Sequence, residues 1–150
     1  MIFDIFASAL NIFLKHRKGQ IEGDSDMVHI RKRQLLHKGI PDIEEVKRVT
    51  GDRFNKLLQI FNRFDPVQTQ KLSDNPDKYL CFTKTVIYKL PRQKTREAVA
   101  DLLYVEFSLW FKHAYNDFDD KDALIDEVYS FKKMNFLTDP FQNISVDTKK

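Results

Sequence analysis

The sequence predicts an all-α fold, a compact bundle of six to seven helices with a mostly buried central helix near residues 96–115. Three observations carry that prediction. Apolar residues recur at three- and four-residue spacing along most of the chain, which places them on one side of a helix. Only four glycines and five prolines occur in 150 residues, too few for the many tight turns of an all-β fold. Within 96–115, Val99, Leu102, Leu103, Val105, Phe107, Leu109, Trp110 and Phe111 leave few polar positions, as a bundle's central helix requires. With 42% apolar and 31% charged residues the chain is too apolar for disorder, and its length suits one domain. The expected organisation is one helical domain over 1–137 and a loose tail over 138–150.

The first helix is the most unusual. Ile2, Phe3, Ile5, Phe6, Ala9, Leu10, Ile12, Phe13 and Leu14 cover almost its whole circumference, leaving Asp4, Ser8 and Asn11 on one narrow polar stripe. Lys15, Arg17 and Lys18 suit the negative end of its dipole, and Gly19 closes it. At about 1.5 Å per residue the apolar run reaches roughly 20 Å, short of a hydrocarbon core of about 30 Å. Its positive charges follow the apolar run instead of preceding it, the wrong order for a signal peptide.

After a polar loop, Asp24 or Ser25 caps a second helix over Asp26–Lys38 that Gly39 ends. Pro41 opens a short third helix to Val49, with Asp42, Glu44 and Glu45 in its first turn. Asp52 caps a fourth, to about Phe64, whose Phe54, Leu57, Leu58, Phe61 and Phe64 keep helical register. Residues 65–75 form the longest internal loop. Pro76 starts a fifth helix carrying Tyr79, Phe82, Val86, Ile87 and Leu90, although Val86-Ile87-Tyr88 also fits a strand, and Pro91 ends it. Thr95 caps the sixth helix, Arg96–Tyr115. A seventh, Asp122–Met134, presents Leu124, Ile125, Val128 and Phe131.

Little in the chain points to catalysis or metal chemistry. Cys81 cannot form an internal disulfide and reads as a packed thiol in a reducing, cytoplasmic setting. His16, His29, His37 and His113 lack the spacing of a metal-binding helix. Asp117, Asp119, Asp120 and Asp122 invite a calcium loop. Counted from Asp117, however, Lys121 falls on the fifth position, Asp122 where glycine is needed and Val128 where a bidentate glutamate is needed. These acids read instead as a solvated turn. No metal, cofactor or small-molecule substrate is expected, and the chain reads as non-enzymatic.

Arg31 and His37, with five residues between them, resemble the Arg-x5-His spacing found among HEPN-type ribonucleases. That likeness implies RNA cleavage at a helix end, whereas a solvated basic face explains the same two residues. Residues 42–60, with Gly51 at the turn, are similar to a helix-turn-helix, which implies nucleic-acid binding. Lys47 stands there where a small residue usually packs, and Asp52 where an apolar one is usual.

Three basic clusters give a nucleic-acid reading some substance: Lys15, Arg17 and Lys18; Arg31, Lys32, Arg33 and Lys38; and Arg92, Lys94 and Arg96 with Lys89. The reading preferred over it is association through protein surfaces. An apolar terminal helix with large aromatic anchors can dock a protein partner or a second copy, and Ile2, Phe3, Phe6, Leu10 and Phe13 are the residues expected to do so. A membrane-surface role fits less well, because the polar stripe bears Asp4 and is narrow. The thirteen phenylalanines point to an AT-rich coding genome, hence to a phage or mobile-element accessory protein such as an assembly factor.

Overall fold

A computed structural model describes residues 25–67 and 77–142. The predicted helix over 1–19 and its five candidate docking residues lie outside the described residues, as do Lys15, Arg17 and Lys18. Six α-helices are present among the described residues, with no strand, so the all-α class holds. The chain divides into two compact units, residues 1–38 and residues 39–150.

In the first unit, α1 spans Ser25–Leu36. It ends two residues before the predicted boundary, and Gly39 beyond it takes the positive φ of 89° that favours glycine. Met27, Ile30 and Leu35 are exposed.

The second unit begins with α2 (Ile43–Thr50). Its N-cap is Asp42, whose carboxylate accepts from the Glu45 amide at 2.9 Å, so Pro41 lies outside the helix and not at its first position. Gly51 alone separates α2 from α3 (Asp52–Phe64) and caps the latter, leaving Asp52 as a first-turn acid. The helix α4 (Leu80–Lys89) starts four residues after the predicted Pro76, beyond a turn in which the Leu80 amide donates to Asp77. Val86-Ile87-Tyr88 is helical, not strand. A 3₁₀ turn at Leu90–Arg92 leads to α5 (Arg96–Phe111), capped by Thr95 as predicted. α5 stops four residues early, at Lys112, whose φ of 57° breaks the helical path. A second 3₁₀ turn, Ala114–Asp117, precedes α6 (Lys121–Asn135).

Four helices close a ring: α3 packs on α4, α4 on α5, α5 on α6, and α6 back on α3. The five consecutive residues Val105–Leu109 of α5 are all buried, which a helix can achieve only with neighbours on every side. The predicted central, mostly buried helix is therefore present. Phenylalanines fill the ring. Phe61 of α3 meets Phe82 of α4 edge-on at 4.8 Å, Phe82 lies 4.2 Å from Phe107 of α5, and Phe107 stacks on Tyr115 at 4.2 Å. Rings at these separations add about 0.5–1.5 kcal/mol per pair to the area they bury.

Residues 65–67 and 78–79 are tied together. The Tyr79 hydroxyl donates to Asp65 at 2.8 Å and accepts from the Val67 amide, and Lys78 pairs with the same carboxylate. Beyond α6 the chain folds back. Phe141 is buried against Tyr88, and Asp139 pairs with Arg92 at 2.8 Å, so residues 138–142 are anchored where a loose tail was expected.

Candidate interaction surfaces

The most polar cluster inside the bundle joins α4 to α5. Glu106 is fully buried; one oxygen accepts from Thr85 at 2.8 Å and the other from Lys89 at 2.8 Å. Trp110 Nε1 donates to Thr85 at 3.2 Å. Both carboxylate oxygens face donors supplied by the bundle, as structural buried charge requires. This cluster went unread in the sequence. Its signal was a lone charged residue, Glu106, in a run otherwise uncharged from Leu102 to Leu109.

The third basic cluster is turned toward carboxylates. Arg92 Nη1 donates to Asp139 at 2.8 Å, Nη2 donates to the Tyr88 carbonyl, and the guanidinium lies 4.8 Å from the Tyr88 ring centre. Arg96 donates to Asp126 at 2.5 Å and reaches Asp122 at 3.4 Å. Asp126 thereby raises the already high arginine pKa. Lys89 serves Glu106. Lys94 alone of the four stays exposed without a carboxylate contact of this kind among the described residues, so phosphate neutralisation by Lys89, Arg92 and Arg96 would require breaking internal pairs.

In the first unit, Arg31 and Lys38 are exposed, while Lys32 and Arg33 are half-buried. Burial lowers the Lys32 pKa. Arg31 lies on α1, and His37 lies just past its end, where its amide donates to Arg33. Six positions apart on a helical path, the two side chains stand about 120° from each other around the axis. The helix-turn-helix likeness also weakens. That motif joins its helices by a turn of about three or four residues, whereas only Gly51 separates α2 and α3. Lys47 finds a place by lying 5.5 Å from the Phe54 ring centre.

The acidic turn has its own internal cation. Lys121 Nζ donates to the carbonyls of Asn116 at 2.9 Å and Phe118 at 2.7 Å and lies 5.4 Å from the Tyr115 ring centre. A tethered ammonium occupies the carbonyl ligands that a bound cation would seek. Among the described residues no cluster of His, Cys, Asp or Glu could hold a metal ion. No described helix is long and apolar enough to cross a membrane.

One open groove of about 750 Å³ runs between α3 and α6, with Lys56 and Ile60 on one wall and Glu127, Ser130, Phe131 and Met134 on the other. Met134 is 81% exposed and Leu137 92% exposed. Sequence periodicity concealed this surface, because Met134 lies three residues after buried Phe131 and so keeps the register of the core stripe. No family model, curated protein or solved structure matches this chain.

Proposed function

We propose that this chain is a non-enzymatic binding or assembly protein that self-associates or docks a protein partner through its N-terminal apolar helix. The observation that carries the reading is the sequence of residues 2–14, whose apolar side chains leave only the stripe of Asp4, Ser8 and Asn11 suited to water. The exposed Met27, Ile30 and Leu35 of α1 support it, since the same unit then offers apolar contact area at two places. Phe3, Phe6 and Phe13 are the anchors, being large, rigid side chains that lose little entropy on docking.

Light scattering over a range of concentrations, on the full chain and on a chain lacking residues 1–14, tests the reading. Loss of the oligomer or of partner capture, with helical circular dichroism and cooperative melting of the remainder retained, is the expected result. Unfolding of the shortened chain would make the N-terminal segment a core element and end the proposal. The competing nucleic-acid regulator predicts retention on duplex or single strands that falls steeply with salt and is lost on reversing Arg31 and Arg33. Such behaviour with an unchanged oligomeric state would replace the present reading.

A further inference from the structure

The chain after α6 forms a small clip. Phe136 is buried, Leu137 and Thr138 are exposed, and Asp139–Gln142 then close a turn on themselves. Asp139 Oδ1 accepts from the Phe141 amide at 2.9 Å, and the Asp139 carbonyl accepts from the Gln142 amide at 3.2 Å. Both bonds lie inside the turn, so it keeps them when it leaves the bundle. Two contacts hold it there, on one short surface. Arg92 Nη1 donates to Asp139 Oδ2 at 2.8 Å, and the Phe141 ring lies 4.9 Å from that of Tyr88. The clip is thus a preformed ligand on a link of two exposed residues. The surroundings of that link are a second observation. Met134 and Leu137 are the two most exposed large apolar side chains among the described residues, and they flank Phe136, where the chain leaves α6 for the clip. Closure within one chain leaves both in water.

We propose that the clip exchanges between two copies of this chain, so that Asp139 and Phe141 of one copy seat on the partner subunit's Arg92 and Tyr88, and the reverse. Exchange remakes the same ion pair and the same aromatic contact, so neither is lost. A link of two residues holds the copies close together. Met134 and Leu137, beside the place where the links cross, gain apolar cover that the single chain does not give them. Closure within one chain keeps the advantage at low concentration, because a tethered clip is always near its own site. Exchange therefore grows with concentration and with anything that hinders closure in one chain. The contact is separate from the N-terminal helix, and the proposal does not rest on that helix.

Reversed charges on the full chain test the exchange. In Arg92→Glu the clip meets an acid, and in Asp139→Arg it meets a cation, so each variant opposes closure on itself and on its own kind. A mixed pair restores opposite charges at both sites. Capture of untagged Asp139→Arg by tagged Arg92→Glu should exceed capture of either variant by its own kind about tenfold. Association through the N-terminal helix would hold like and unlike pairs equally, so failure of either reading leaves the other standing. A second variant keeps Arg92 and Asp139, and so serves if a charge reversal unfolds the chain. Deleting Thr138 shortens the link and hinders closure in one chain, which should raise the dimer fraction in light scattering at equal concentration. Adding Phe141→Ala should return that fraction to the parent value. Equal capture of like and unlike pairs by folded variants, or a dimer fraction indifferent to the loss of Thr138, overturns the proposal.

Discussion

Glu106, fully buried in the middle of α5, holds the Lys89 ammonium of α4 at 2.8 Å, and this pair spans two of the four helices of the ring. Removing the cation strands a carboxylate where water cannot reach it. Lys89→Met should therefore cost about 3–5 kcal/mol, the usual penalty for orphaning a buried charge. The double variant Lys89→Met with Glu106→Leu should recover most of that loss, because both desolvation costs vanish together. Urea denaturation of the two variants checks the order; a double variant weaker than the single one would refute it.

Gly51 joins α2 to α3 with φ 58° and ψ −133°, a conformation that L side chains rarely adopt. Open space surrounds the position, so an added methyl would clash with nothing. Gly51→Ala should still destabilise the protein by about 1–3 kcal/mol, through backbone strain alone. Thermal melting measures this, and a neutral result would show that the link relaxes.

Tyr115 is buried beneath the Phe107 ring, and its hydroxyl has no hydrogen-bond partner among the described residues. Burial, aided by the Asp122 charge, pushes its ionisation well above the ordinary phenol range. The sign follows from linkage. A raised folded-state value means that the unfolded chain loses the proton first, so stability is fully present below about pH 10 and falls above it, by up to about 1.4 kcal/mol per pH unit. Tyr115→Phe should be neutral or mildly stabilising at pH 7 and should flatten the alkaline loss. Melting temperatures from pH 8 to 11, alongside phenolate absorbance, provide the measurement.

Phe141 packs on Tyr88 at 4.9 Å, and Asp139 meets Arg92 in the same short segment. Phe141→Ala should cost about 3 kcal/mol by emptying that site. Asp139→Asn should cost about 1 kcal/mol, because the pair is mostly buried yet open at one edge. Chemical denaturation separates the two values. Equal effects would mean that the segment is held by charge and not by packing.

Lys121 bridges two carbonyls of the turn that precedes α6. Lys121→Met should lower stability by about 1 kcal/mol, two charge-assisted bonds discounted for exposure. Calorimetric titration with calcium should show no binding in the parent chain, since the carbonyls already face an ammonium.

Periodicity and end signals alone determined the all-α class, the central burial of α5 and the Thr95 cap, because each depends on residues within a turn or two of one another. The apolar surface of residues 2–14 is also a property of sequence alone. Boundaries were less legible. Pro41 and Asp52 are both acceptable at a helix start, but the Asp42 carboxylate takes the Glu45 amide and Gly51, at positive φ, stands at the cap of α3. Tertiary structure alone decided which charges are internal. The partners of Glu106, Arg92, Arg96 and Lys121 lie 17 to 21, 47, 26 to 30, and 3 to 5 residues away. No local pattern encodes the longer of those distances. Met134 and Leu137 make the same point from the apolar side. They share the hydrophobicity of core residues, and only the path of α6 over α3 leaves them facing water.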